Sequence, residues 1–376
     1  MPTLGIYVHI PFCRQKCLYC DFCSYPSLDS SVRARYAERM RHDLALRAPD
    51  AAGYTVDSVY FGGGTPTVME ASELVSLLDC IRAHYRLAPD AEITLECNPA
   101  TATEDDLAAL RRGGFNRISL GLQSTHESEL RALGRIHSFS DFCKTYEAAR
   151  AAGFSNISAD LMSGLPGQTP ESWLASIERL CALAPEHISA YGLIVEEGTP
   201  FFEMRDKLHL PDEDAARQMY LEGIEALAAH GYAQYEISNF ARVGYESRHN
   251  LKYWSCEEYL GFGPAAYSDF GGHRFGNARD LDAYLDGKSI ECERESPSRE
   301  SRIDEYVMLR MRLCEGVRED AFRRRFGQSF LARFSAPLER YAKMGLVRIT
   351  PEGAAFTPEG FYVSNAILSD LLDFSD

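Results

Sequence analysis

Short apolar runs alternate with amphipathic stretches from residue 4 to about residue 235, and this alternation restricts the fold more than any other feature. Strand-like runs fall at 4–10, 58–61, 93–97, 117–121, 156–162 and 187–193. They are rich in Ile, Val, Tyr and Leu and end in polar or glycine-rich segments. Helix-like stretches occupy 32–47, 71–84, 104–112, 127–133, 140–152, 170–183 and 213–230. In 32–47 an apolar stripe lies opposite arginines, as on a helix covering a sheet. Such a βαβα rhythm implies a parallel sheet with helices on its outer face. Ligands of such sheets gather at the carboxyl ends of the strands.

The segment after the first strand carries Cys13, Cys17 and Cys20, spaced C-x3-C-x2-C. Three thiolates this close in sequence can wrap one [4Fe–4S] cluster and leave its fourth iron without a protein ligand. An open metal position admits a substrate or cofactor. Structural zinc calls for four ligands in two pairs, and Cys23 offers the only nearby fourth sulfur. A disulfide framework does not suit a chain of 376 residues without a signal peptide. The odd total of 11 cysteines points to a reducing compartment, and the seven outside the cluster segment and Cys23 read as ordinary core or surface residues.

Met1-Pro2-Thr3-Leu4 has neither a basic nor an apolar signal region, so a cytoplasmic location is expected. No apolar run reaches the length of a membrane span, so an integral membrane protein is not expected. The net charge of −16 argues against sequence-independent nucleic-acid binding.

Several polar groups recur at the expected strand ends. Phe61-Gly62-Gly63-Gly64-Thr65-Pro66 closes the second strand, and its glycines let backbone approach a ligand. Their carbonyls can accept an ammonium, with the Thr65 hydroxyl beside them. Glu96 and Asn98 close the third strand, Gln123 the fourth and Asp160 the fifth, while Arg135 follows in Leu133-Gly134-Arg135. Each alone reads as a cap or surface ion pair; together they can surround one ligand.

These motifs resemble the oxygen-independent coproporphyrinogen III oxidase family of radical S-adenosylmethionine (SAM) proteins. The shared features are the Tyr-x-His-Ile-Pro-Phe-Cys entry, the cysteine triad, Gly-Gly-Gly-Thr-Pro and Asp-Leu-x-x-Gly-Leu-Pro. The resemblance covers nearly the full length. It implies an α/β fold, a partial (β/α)6 TIM-like barrel, with SAM chelating the open iron. It also implies that Tyr7, Tyr19, Gly63, Gly64, Thr65, Glu96, Gln123, Arg135, Asp160 and Ile194 line the SAM site.

Two branches are open. The decarboxylating enzyme carries an N-terminal extension and a further cysteine two residues after the triad. Here the first strand begins at Leu4 and position 22 is phenylalanine. Cys20-Asp21-Phe22 and His249-Asn250-Leu251-Lys252-Tyr253-Trp254 resemble instead the HemW-type haem chaperones, whose His-Asn-x-x-Tyr-Trp motif is linked to haem. His249 offers an imidazole to haem iron, and Tyr253 and Trp254 offer flat faces to a porphyrin. His9, His137, a cysteine or a tyrosine remain alternative axial ligands. The favoured expectation is a haem-binding protein that delivers haem to acceptor proteins, membrane-associated ones among them. The alternative is an enzyme that generates a 5′-deoxyadenosyl radical to oxidise coproporphyrinogen III. A zinc-bound structural protein is a third, weaker reading.

The expected domains are a barrel at 1–235, an aromatic and glycine-rich connecting region at 236–299, and a C-terminal domain at 300–376. In the last, helices at 303–314, 318–326 and 329–344, a hairpin at 346–357 and a helix at 358–374 suggest a winged helix. Its acidic and basic residues balance, which suits a protein contact or lid better than a phosphate-binding face.

Overall fold

The computed structural model describes residues 1–26 and 29–372. Six parallel strands form the centre of a 12-stranded sheet. They are β1 (Thr3–Ile10), β2 (Thr55–Gly63), β3 (Leu87–Cys97), β4 (Arg117–Gln123), β5 (Ile157–Ser163) and β6 (His187–Gly192). They lie side by side in chain order, each crossover running through a helix. The fold is the expected α/β partial barrel with a C-terminal helical domain.

Beyond β6 the sheet continues antiparallel through β7 (Ala233–Glu236) and β8 (Asn239–Ala241). On the opposite edge β9 (Tyr259–Phe262) pairs parallel with β1. A meander of β10 (Tyr267–Phe270), β11 (His273–Asn277) and β12 (Glu291–Glu295) extends that edge. The aromatic and glycine-rich region therefore supplies strands to both edges of the barrel sheet. Its aromatic residues fit half-buried strands as well as connecting loops.

Alternation along β1 shows how the barrel is sided. Leu4, Ile6, Val8 and Ile10 are fully buried in the main apolar core beneath the helices. Gly5, Tyr7 and His9 occupy the alternate positions, where they meet polar groups. A TIM barrel interior is ordinarily filled by branched apolar side chains. Here the buried polar set includes Ser58, Glu92, Thr94, Arg117, Ser119, Ser158 and His187 instead.

The C-terminal domain has its own aromatic core, with Tyr306, Phe322, Phe326, Phe330, Phe334, Phe356 and Phe361. Its three-stranded sheet is ordered β13 (Val317–Arg318), β15 (Gly353–Phe356), β14 (Val347–Thr350). The stretch expected as one helix at 329–344 divides into Phe330–Arg333 and Ser335–Lys343. The stretch at 358–374 divides at Val363 into Pro358–Tyr362 and Ser364–Leu371; its last two expected residues lie outside the described residues. The domain joins the β7 end through Ile237 N–H to Arg312 O at 2.9 Å and Cys314 N–H to Tyr235 O at 3.0 Å. At the other edge Arg302 makes a two-pronged pair with Asp269. Among the described residues, no helix is long and apolar enough to cross a membrane.

Candidate SAM and cluster cleft

Cys13, Cys17 and Cys20 line one cleft at the carboxyl ends of the strands. The cysteine segment is tied to the strand-end turns by backbone. Gly64 N–H donates to Ile10 O at 2.8 Å, and Thr65 N–H donates to Phe12 O at 2.7 Å. A Cβ on Gly64 would come within 2.6 Å of Phe12 O, so the close approach needs glycine.

A chain of side-chain hydrogen bonds crosses the cleft. Thr65 Oγ1 donates to Cys13 Sγ at 3.6 Å, and Asn98 Nδ2 donates to Thr65 Oγ1 at 2.7 Å. Arg135 in turn donates to Asn98 Oδ1 at 2.8 Å and to the Tyr19 hydroxyl at 3.0 Å. Arg135 Nε is buried and has no hydrogen-bond partner among the described residues. Gly121 leaves the room: a Cβ there would lie 2.8 Å from Asn98 Oδ1 and 3.4 Å from an Arg135 nitrogen.

Glu96 and Asp160 supply the buried negative charge. Glu96 accepts from the Tyr60 hydroxyl at 2.8 Å and from Gly63 N–H at 3.1 Å. Burial, reinforced by the neighbouring Asp160 carboxylate, pushes the Glu96 carboxyl up to about 7 against its hydrogen bonds. Burial also raises Asp160, opposed by hydrogen bonds from Ser189 and Ser119. Gln123 takes a left-handed φ of 71° at a bulge and accepts from the Tyr191 hydroxyl at 2.9 Å.

Tyr19, Gly63, Gly64, Thr65, Glu96, Gln123, Arg135 and Asp160 thus converge on the cleft. Tyr7 and Ile194 are placed differently. The Tyr7 hydroxyl bonds His9 Nδ1 at 3.0 Å, and His9 Nε2 bonds Cys23 O at 2.8 Å. Tyr7 thereby braces the cysteine segment from below. Ile194 is 68% exposed beyond the end of β6. Tyr60, Ser119 and Tyr191 were not singled out from sequence. Tyr60 and Ser119 sit two residues before Gly62 and Gly121, on the same strand face, which is the signal that finds them.

The donor set fits an iron–sulfur cluster. Three thiols from one short segment line a single cleft, the ligand type of such a cluster and one fewer than its four irons. Burial raises the thiols of Cys13 and Cys20, and metal binding would deprotonate them. Cys23 is turned to the Tyr25 hydroxyl at 3.8 Å.

The histidine motif lies at the opposite end of the barrel. The short helix Arg248–Trp254 closes the amino end, where a Cβ on Gly5 would lie 3.4 Å from the His249 ring. His249 Nδ1 bonds Ser58 Oγ at 2.9 Å, and Nε2 bonds the Tyr253 hydroxyl at 2.8 Å. Burial, with Lys252 and Arg117 nearby, pulls its imidazole down to about 3. Lys252 bridges Asp57 and Glu257. In this arrangement His249 is a satisfied interior histidine, and presenting it to haem iron requires the helix to move. Trp254 Nε1 is buried without a partner among the described residues.

Fold, thiol triad and strand-end cradle define a radical SAM protein with a HemN-type C-terminal domain. Residues 7–180 match the radical SAM superfamily, and residues 298–363 match the HemN C-terminal domain. Coproporphyrinogen III oxidase (HemN) from Escherichia coli, a solved radical SAM enzyme, superposes with a TM-score of 0.86 at 25% identity, covering 99% of this chain and 90% of that one. The heme chaperone HemW of Bacillus subtilis (strain 168) is 35% identical over 97% of this chain and 98% of its own length. HemW of Escherichia coli (strain K12) is 37% identical over 84% of each. The chain belongs to the HemW-type haem chaperone family.

Proposed function

We propose that this protein binds haem and delivers it to acceptor proteins in the cytoplasm, using a radical SAM scaffold that retains its cluster and SAM. The observation that carries this reading is identity of 33–37% over most of the chain to proteins named heme chaperones. Phe22 stands where the decarboxylating enzymes carry a further cysteine, which supports the same branch.

In this reading Cys13, Cys17 and Cys20 hold a [4Fe–4S] cluster. SAM lies across the strand ends, its amine near Gly63, Gly64 and Thr65. Glu96, Gln123, Arg135 and Asp160 surround it, with Tyr19 alongside and Ile194 at the rim. When bound, cluster and SAM supply one-electron chemistry. The chain's own groups orient the cofactor and exclude water: Arg135 bonds Asn98 and Tyr19, and Glu96 is fixed by Tyr60 and Gly63. Haem meets the 249–254 helix once that helix leaves Ser58, with His249, Tyr253 and Trp254 as its contacts. The barrel at 1–235, the connecting region at 236–299 and the C-terminal domain at 300–376 act as scaffold, haem region and partner-facing unit.

Anaerobic reconstitution with iron and sulfide analysis, followed by haem titration, tests the proposal. A saturable Soret shift is expected, and protein incubated with SAM, an electron donor and coproporphyrinogen III should yield no protoporphyrinogen. Robust decarboxylation would assign the enzyme branch instead, which the structural likeness to HemN keeps as the second reading.

A further inference from the structure

A second cleft, of about 720 Å³, lies between the barrel edge and the C-terminal domain. Its volume falls within the range of about 300–1,000 Å³ that small-molecule sites span. Cys256 and Glu257, just past the helix Arg248–Trp254, and Asp269 of β10 stand on the barrel side. Arg299 and Arg302 of the helix Arg299–Arg310, with Arg325 and Phe326 of the helix Glu319–Phe326, form the facing wall.

Pairing among the wall charges decides which of them are free. Asp269 takes both prongs of Arg302. Glu257 is held by Lys252 and by the Thr3 hydroxyl. Glu258, also in the wall, accepts from the Tyr54 hydroxyl at 2.6 Å and from Gly271 N–H at 2.7 Å. Arg299 and Arg325 make no ion pair among the described residues. Each donates instead to a backbone carbonyl, Arg299 to Phe326 O and Arg325 to Cys256 O, the latter at 3.2 Å. In the run Arg323-Arg324-Arg325, the first two pair along their own helix with Glu319 and Asp320, and the third turns to the cleft. A carbonyl occupies one of a guanidinium's five donors and cancels none of its charge. Two uncompensated cations thus adjoin Phe326 in a chain of net charge −16.

The cleft also borders the histidine motif. The carbonyl that Arg325 holds belongs to Cys256, two residues past Trp254. Arg310 donates to Ser255 Oγ at 3.1 Å, a second tie between the C-terminal domain and the end of the same helix. We propose that this cleft seats the propionates of a porphyrin, with Arg299 and Arg325 as the cations that bind them. The ligand class is a planar apolar ring carrying two carboxylates. Each guanidinium can take a carboxylate through two parallel N–H donors. Phe326 adds apolar surface to the same wall. The barrel-side carboxylates repel an anion, which turns the acid edge of the ligand toward the C-terminal domain. The inference rests on the reading that this protein binds haem at the 249–254 helix.

Iron-free protoporphyrin IX and its dimethyl ester share one macrocycle and differ in their two carboxylates, so the pair reads the arginines without iron ligation. In fluorescence titrations of the full chain, the diacid should bind about tenfold tighter than the ester. Added salt should weaken the diacid more than the ester. R299Q/R325Q should bring the diacid down to the affinity of the ester, and R299K/R325K, which keeps both charges, should retain most of the preference. Both arginines are exposed, so the variants should fold; melting temperatures check this, and the single variants replace the double if it does not accumulate. A wild type that gives the saturable haem Soret shift yet does not distinguish diacid from ester, or a preference that survives in R299Q/R325Q, would overturn the cleft alone. An arginine-dependent preference without any haem Soret shift would sustain the cleft and overturn ligation of haem iron. Wild type that takes up neither haem nor porphyrin would overturn both.

Discussion

The carboxylate of Glu92 accepts the backbone N–H of His249 at 3.1 Å, across 157 residues of chain. Its second oxygen accepts the N–H of Arg248 at 3.2 Å. A strand residue of the barrel thus caps the helix that carries the histidine motif and holds it in the amino end of the lumen. His249 is locked there by Ser58 and Tyr253, which makes this helix the element that must shift if the imidazole is to meet a ligand.

Stability should report that locking. His249→Ala is expected to cost about 2–3 kcal/mol, from two lost hydrogen bonds and a cavity. The folded imidazole, near 3, lies below its ordinary value of 6.5. Its stabilising share is therefore complete above about pH 6.5 and is lost as pH falls toward about 3. Urea unfolding at pH 7.5 and 4.5 checks this: His249→Gln should lose on the order of 2 kcal/mol less than wild type over that interval. Equal losses in the two proteins would mean that His249 is already protonated or exposed.

Cluster incorporation should separate Cys23 from the triad. Reconstituted Cys23→Ala should keep its iron and charge-transfer absorption, because the Cys23 thiol is engaged with Tyr25. Cys17→Ala should lose both. Iron and sulfide assays decide, and equal loss in the two variants would place Cys23 among the ligands.

The close approach at Gly64 predicts a second effect on the cluster. Gly64→Ala forces a Cβ against Phe12 O and Ile10 O, the carbonyls that anchor the cysteine segment. The variant should be less stable by about 1–3 kcal/mol, melt at a lower temperature and take up less iron than wild type. Normal iron uptake with a normal melting temperature would show that the segment adjusts freely.

Asn98 links the two sides of the cleft, accepting from Arg135 and donating to Thr65. Asn98→Ala should leave the Arg135 guanidinium with one fewer partner and weaken SAM binding about tenfold. Calorimetry on cluster-loaded protein measures this, alongside Glu96→Ala and Asp160→Ala. Unchanged affinity in both carboxylate variants would remove SAM from these strand ends.

Much of this was legible in the sequence because parallel strands write their ends locally. The glycine triplet, Glu96, Gln123 and Asp160 each follow an apolar run, so register alone brings them to one edge. The lumen was not legible. Ser58, Thr94 and Arg117 alternate with apolar residues, a pattern that also describes a strand with one solvated face. Only closure of the sheet buries them. The 236–299 region hid its strands because β8 to β12 are only three to five residues long, and β8 and β9 pair with β6 and β1, far away in sequence. Ile194 lies two residues past the end of β6, but no local signal shows whether it turns inward. His249 depends on Glu92, Ser58 and Tyr253, and the first two are far away in sequence.

Haem titration of the anaerobically reconstituted protein tests the central claim most directly. The account predicts a saturable Soret shift in wild type that weakens in His249→Ala variants retaining their cluster. A protein that shows no saturable shift, and instead converts coproporphyrinogen III to protoporphyrinogen with SAM and an electron donor, would contradict it.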